Sequence, residues 1–479
     1  MKQLTQQDAV FLSIETPSLP AHIGGMAFLE PVEGIPFNID SFRQFVRERF
    51  TEADRFGSRI QEVPFGLDRP YWVRAENFDA ADHVFHAAVP QPYSNEALSE
   101  LVGRIFERPM DRSRPLWDMT LIDGLPGGGS VMLWRTHHCM MDGASGAGIA
   151  EQLFDIAPDA VRPPTKFLTA PRDSKPRKLE VTLRAIGHAL DLPAQQAKYI
   201  RKAASALTPD LNPLNLIFGS EETPETDPVQ EESSLAPKAP FNSHVSGYRR
   251  IAWSSVSLDE IKKIKKTMSV TVNDVVLALT GGAVRGYLGE RDQLPEESLI
   301  ASVPVSLRKE DDQTIGNQIG DMSVFWGTNI EDPVERLLAI NKSSVSEKGK
   351  VQRGEHTNMM DVLSKAFMPG AVSALMRGIE KASDITPLPA NAVVSNVPMT
   401  PFPLYLAGAR ITKSIPVSLL APTQGLNVTV LSYCGELHFG LVHDPELVPD
   451  AWELAERIPK SLQELQSSVD RWQATDGQG

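Results

Sequence analysis

At 479 residues the chain is too long for one ordinary core, and its length suggests about two to three domains. Hydrophobic residues at 41% and charged residues at 23% exclude a disordered or fibrous protein, while a formal net charge of −14 argues against general nucleic-acid binding and leaves room for a local basic patch. No apolar run approaches the ~20 residues that cross a bilayer, the amino terminus lacks the apolar core of a secretion signal, and only two cysteines, Cys139 and Cys434, exclude a disulfide framework and fit a reducing cytoplasm.

Residues 24–29 read as a strand, residues 39–50 as a helix with Asp40 and Ser41 as cap candidates, and residues 116–122 as a second strand closed by Asp123-Gly124. The apolar run 131–134 leads into His137-His138. A small-residue turn at 143–146 and a helical pattern at 149–154 then complete a strand, tight turn and helix. Pro163, Pro164, Pro171 and Pro176 interrupt the chain before a basic helical segment from about 179 to 207. Residues 172–202 carry eight basic side chains against three acidic ones, beside an apolar stripe of Leu179, Leu183, Ile186 and Leu190. Such a helix suits an anionic membrane or lipid-droplet surface, or else packs on the domain as a linker with a solvated outer face. From 208 to 242, six prolines and an acidic run read as a linker or mobile loop.

A second domain begins near Ser243 with an alternating strand at 248–253 and a helix at 258–266. Asn273 precedes the apolar helical run 275–279, where asparagine suits a cap. A hairpin is written in residues 428–433, the turn Cys434-Gly435 and residues 437–442. The chain thus divides into 1–170, 171–242 and 243–479, the outer segments of mixed α/β character.

The double histidine carries the chemistry. Alternation along a strand puts Met132, Trp134, Thr136 and His138 on one side and Leu133, Arg135 and His137 on the other. One histidine can then face a substrate while the other is held in the protein body. An imidazole titrating near neutrality can take a proton from an alcohol and return it later. Asp142, constrained by Gly143, suits a pairing with a buried arginine that fixes the turn aiming His138. Three other readings compete. Adjacent strand histidines diverge and so make a poor metal chelate; Cys139 is a conceivable thiol nucleophile, though it should point away from His138; and both histidines can be satisfied structural residues.

His137-His138-x-x-x-Asp142-Gly143 resembles the signature of the CoA-dependent acyltransferase superfamily, which includes chloramphenicol acetyltransferase and peptide-synthetase condensation domains. Other stretches resemble, in order, the motifs of the bacterial wax ester synthase/diacylglycerol acyltransferases. These are Asp8-Ala9-Val10-Phe11-Leu12-Ser13-Ile14-Glu15, His22-Ile23-Gly24-Gly25, Asp111-Arg112-Ser113-Arg114-Pro115-Leu116-Trp117, Val272-Asn273-Asp274-Val275-Val276, Val303-Pro304-Val305-Ser306-Leu307-Arg308, Gly316-Asn317-Gln318-Ile319-Gly320 and Ser395-Asn396-Val397-Pro398. One departure is visible. The family usually continues Asn-Val-Pro with Gly-Pro, where this chain has Met399-Thr400.

The resemblance implies an α/β fold of two chloramphenicol-acetyltransferase-like domains, each a mixed sheet flanked by helices, with one active site in the cleft between them. It implies an O-acyltransferase that moves a long-chain acyl group from acyl-CoA, used as a substrate with no permanently bound cofactor or metal, to diacylglycerol or a long-chain alcohol. On that reading His138 is the general base and Asp142 is structural, with Arg308 as partner or else a solvated strand-end arginine. Asn273 or a nearby N–H would stabilise the oxyanion, and Glu15 would lie in the cleft and orient a catalytic histidine. Pro115, Leu116 and Trp117, and likewise Asn396, Val397 and Pro398, read as packing and turn elements. Met359, Met360, Met368 and Met376 suit an irregular acyl tunnel or a plain core. The expected location is cytoplasmic, free or peripheral to a membrane or lipid droplet, with no nucleic-acid partner. Two other functions stand against this one: a condensation-type acyltransferase forming an amide or polyketide ester, and a non-catalytic lipid-droplet scaffold.

Overall fold

Two six-stranded mixed sheets organise the chain. The computed structural model describes residues 2–50, 55–140, 153–160, 235–306, 319–353, 363, 365, 367–382 and 388–476. The basic segment, the 149–154 helical pattern up to residue 152, Met359 and Met360 lie outside them. In the first half the elements are β1 (Lys2–Gln3), α1 (Gln6–Ile14), β2 (His22–Glu30), α2 (Ile39–Phe50), β3 (Ser58–Gln61), β4 (Tyr71–Arg74), β5 (Val84–Ala88), α3 (Asn95–Phe106), β6 (Trp117–Asp123) and β7 (Ser130–His137). In the second half they are β8 (Arg250–Ser257), α4 (Leu258–Met268), α5 (Val272–Gly289), β9 (Ile300–Ser306), β10 (Ile319–Phe325), α6 (Pro333–Gln352), α7 (Pro369–Lys381), β11 (Ala392–Pro398), β12 (Tyr405–Leu406), β13 (Ala409–Val417), β14 (Leu426–Tyr433), β15 (Glu436–His443) and α8 (Ala451–Asp476).

The first sheet runs β12-β13-β2-β7-β6-β5 and the second β10-β9-β11-β14-β15-β8, while β1, β4 and β3 form a small sheet. Strands β12 and β13 come from the segment after 243 yet extend the first sheet through β2. The division in space is therefore not the division in sequence. β13 also presses on the second sheet at β15, where a Cβ on Gly440 would fall 1.9 Å from the Pro416 carbonyl oxygen. Only glycine permits that approach. A shared apolar cluster completes the junction, with Leu98, Val102 and Phe106 of α3, Ile415 and Val417 of β13, and Ile251 and Trp253 of β8. Behind the second sheet, α5, α6 and α8 bury a larger core that includes Val276, Leu279, Trp326, Leu337 and Leu454.

Three local readings are corrected. The α2 cap is Asn38, whose side-chain oxygen accepts the Asp40 and Ser41 N–H groups at 3.0 Å each, so Asp40 and Ser41 stand in the first turn. The α5 cap is Thr271, in a reciprocal capping box with Asp274, and Asn273 is the second helical residue. Asn396 and Val397 belong to a strand, paired in parallel with Val430 and Leu431, so this stretch is not a turn. The late hairpin is present as β14 and β15. Cys434 and Gly435 both take positive φ, 48° and 84°, which matches the right-handed twist of the flanking strands. Among the described residues no single helix is long and apolar enough to cross a membrane.

Candidate active site

β7 is an interior strand between β2 and β6, so its end is set from both sides. The His137 N–H donates to the Leu116 carbonyl at 2.9 Å, and the His138 N–H donates to the Ala21 carbonyl at 2.8 Å. Those two pulls end the strand at His137 and turn residues His138–Met140 into one 3₁₀ turn. The sequence placed His138 on the strand; the structure places it just beyond, and the two rings still part.

His137 is 1% exposed. Its Nδ1 accepts the Cys139 N–H at 3.1 Å, which puts the neutral ring's proton on Nε2. Nε2 stands 3.7 Å from Glu15 Oε2, an ion-pair distance beyond hydrogen-bond reach. Glu15 caps the carboxyl end of α1 and binds Arg112 at 2.6 Å. Arg112 also donates to the Leu12 carbonyl at 3.0 Å and to Glu62 at 2.7 Å. Burial by itself would raise the Glu15 carboxyl, but His137 and the Arg112 guanidinium outweigh it and hold the group at about 2. Glu15 is thus a fixed carboxylate, and the histidine it addresses is His137.

His138 is half-buried. Its ring lies flat on Phe11 of α1, with centroids 3.8 Å apart and planes 6° apart. Further ties join α1 to the turn. Arg55 donates to the Met140 carbonyl at 2.8 Å and pairs with the buried Asp8 at 3.4 Å. Beneath the pair, His22 faces His137 across the β2–β7 ladder, fully buried, with Nε2 donating to the Phe106 carbonyl at 2.9 Å. Burial, then the charge of Arg135, push His22 down to about 3, so it is neutral.

Cys139 is entirely buried, and that burial drives its thiol well above the usual range. It offers no thiolate to act as nucleophile. Cys139→Ala should leave kcat within about twofold and cost roughly 1 kcal/mol from the small cavity, read from initial rates and urea unfolding. Among the described residues no cluster of three or more His, Cys, Asp or Glu is arranged to hold a metal ion.

Pro115 is buried and Trp117 is 4% exposed. The Trp117 indole donates to the Phe56 carbonyl at 2.8 Å and its ring stacks on His83 and Phe50. The Pro115–Trp117 stretch thus packs, and through Leu116 it pins His137. Asn273 is half-buried on α5 and Asn396 half-buried on β11; neither joins the hydrogen bonds and ion pairs that link Glu15, His137 and His138. Asp142, Gly143 and Arg308 lie outside the described residues. Sequence reading missed the roles of Phe11, Arg112 and Ala21. Phe11 and Arg112 stood in the quoted motifs, but their partners are far along the chain.

Two mixed sheets, with a histidine turn closing an interior strand of the first, frame this site. The wax ester synthase/diacylglycerol acyltransferase catalytic-domain model matches residues 4–276, and the family's C-terminal-domain model matches residues 315–466. The chain belongs to the wax ester synthase/diacylglycerol acyltransferase family, and it is an acyltransferase. The Mycobacterium tuberculosis (strain H37Rv) protein named "Probable diacyglycerol O-acyltransferase tgs2" is 34% identical, with 98% of this chain and 100% of that protein covered. The wax ester synthase/diacylglycerol acyltransferase of Marinobacter aquaeolei VT8 superposes with a TM-score of 0.70 at 25% identity, covering 98% of this chain and 100% of that one. The first condensation domain of the calcium-dependent antibiotic synthetase shares the fold, with a TM-score of 0.55 at 14% identity over 98% of this chain and 96% of that one.

Proposed function

We propose that the protein transfers a long-chain acyl group from acyl-CoA to the hydroxyl of diacylglycerol, giving triacylglycerol, or of a long-chain alcohol, giving wax ester. The observation that carries this reading is the asymmetry of the histidine pair. His137 is sealed, its Nδ1 held by the Cys139 N–H and its Nε2 facing Glu15 at 3.7 Å, whereas His138 is half-buried with its ring stacked on Phe11. Because the His138 Nδ1 is buried, the proton is proposed to pass through Nε2 at the edge of the stacked ring.

In this mechanism the His138 imidazole removes the hydroxyl proton as the oxygen attacks the thioester carbonyl. The tetrahedral intermediate collapses, the C–S bond breaks, and the imidazolium returns its proton to the coenzyme A thiolate. No covalent enzyme intermediate is needed. The Asn273 amide or a neighbouring N–H is the proposed donor to the oxyanion. Asp142 and Gly143 are proposed to fix the turn that aims His138, with Arg308 as the partner of Asp142. The site is proposed to open between the two halves of the chain. The basic segment 172–202 is the proposed point of peripheral contact with an anionic membrane or lipid droplet.

Purified protein given oleoyl-CoA with diolein or hexadecanol should release free coenzyme A thiol and form the matching ester, monitored by thiol reagent and thin-layer chromatography. Turnover with a small amine or a carrier-bound substrate, and none with either hydroxyl acceptor, would replace this reading by the amide-forming one.

A further inference from the structure

The loop of residues 15–21, between α1 and β2, supplies an anchor to each histidine. Glu15 addresses His137, and the Ala21 carbonyl accepts the His138 N–H at 2.8 Å. The Ala21 N–H in turn donates to Glu15 Oε1 at 3.4 Å, so the two anchors are joined.

This loop is held from the other half of the chain. Glu380, near the carboxyl end of α7, accepts hydrogen bonds from the Ser18 hydroxyl and, at 3.3 Å, from the Thr16 hydroxyl. Ser373, two turns earlier on α7, donates to the Ser13 carbonyl at 2.9 Å. Arg249, 2% exposed and just before β8, donates to the Ser18 carbonyl at 2.5 Å. Val372 and Met376 of α7 pack on Val10 of α1, with Ile14 beside them. At the amino end of α7 the chain meets the 64–66 turn at glycine-to-glycine distance, with a Cβ on Gly370 placed 2.6 Å from the Phe65 carbonyl oxygen.

We propose that α7 is a brace for the histidine pair and that Glu380 is its positioning residue. This rests on the reading of His138 as general base. Glu380 touches no reacting atom. It acts through Thr16 and Ser18, whose displacement would move Glu15 and Ala21 together and with them both imidazoles. Catalytic geometry is steep in such movements, since about 1 Å of misplacement costs on the order of 10²-fold in rate.

The test is steady-state kinetics on Glu380→Ala, Glu380→Gln, Ser18→Ala and the double variant Glu380→Ala/Ser18→Ala. Arg377→Ala, an exposed residue of the same helix, serves as control. Glu380→Ala should lower kcat about tenfold or more with KM within about twofold, as expected for a loss of orientation rather than of binding. Glu380→Gln keeps an oxygen acceptor for both hydroxyls and should recover most of kcat, whereas Arg377→Ala should match the parent. The losses from Glu380→Ala and Ser18→Ala should overlap, because they break one contact. Ser18→Ala carries the same expectation independently of how α7 folds.

Unchanged kcat in Glu380→Ala and Ser18→Ala, or losses that simply multiply in the double variant, would overturn the brace. If His138→Ala keeps full turnover, the general-base reading fails first. If it is inactive while Glu380→Ala and Ser18→Ala are silent, only the brace fails.

Discussion

His138→Ala should lower kcat for esterification by about 10²- to 10⁴-fold, the range that a positioned general base supplies. The fold should survive it. His138 is half-buried and its ring stacks on Phe11, an arrangement worth about 0.5–1.5 kcal/mol beyond its area. Thermal unfolding should therefore shift by only a few degrees. His137→Ala makes the contrast. That ring is 1% exposed and accepts the Cys139 N–H, so removing it leaves a buried donor without a partner and costs about 1–3 kcal/mol on that account alone. The pair of variants separates chemistry from architecture: His138→Ala should be stable and inactive, His137→Ala unstable and impaired. Thiol-release assays read beside calorimetry decide the matter. A His138→Ala protein turning over within about tenfold of the parent would remove this imidazole from the mechanism.

Parts of both sheets were legible because their strands are largely apolar runs closed by visible turns. Residues 24–29 lie within β2, residues 116–122 cover β6 but for Asp123, and the Cys434-Gly435 turn announced β14 and β15. The divergence of the two histidines was legible from the alternation of side chains along a strand. The end of β7 was not, because the acceptor that captures the His138 N–H is the carbonyl of Ala21, which no local pattern connects to it. The membership of β13 was equally hidden. Its alternation reads the same whichever sheet it joins, and the choice is made by β2 and by the room that Gly440 leaves. Caps were misplaced by two or three residues wherever several side chains could serve, as Asn38 and Thr271 show. Resemblance pointed to Glu15 as an acid that orients a histidine, but that it addresses His137 rather than His138 required the position of α1. Arg112 fills three acceptors from two segments, the end of α1 and the stretch after β3, a role that only the assembled fold reveals.

The buried groups around the pair predict acid sensitivity in two overlapping windows. His22 is neutral in the fold, depressed from 6.5 to about 3 by burial and by the charges near it. Between those values the unfolded chain binds a proton that the folded chain refuses, so stability falls as pH drops through this range, by about 1.4 kcal/mol per pH unit and about 5 kcal/mol in all. Glu15 is depressed from 4.5 to about 2. Its contribution is complete above pH 4.5 and is lost as pH falls toward 2, on the order of 3 kcal/mol. His438 and His443, both lowered to about 4 with burial the largest cause, add to the upper window. Urea unfolding at half-unit steps from pH 7 to 3 should therefore show His22→Phe losing about one proton's worth of slope between pH 6 and 4.5. Its absolute stability also carries a pH-independent penalty for the Phe106 carbonyl left without its donor. Glu15→Gln should keep the upper slope and lessen the dependence below pH 4.5, where His22 still contributes down to about pH 3. Identical slopes in the parent and His22→Phe would mean that His22 accepts its proton inside the fold, and the neutral platform under His137 would have to be abandoned.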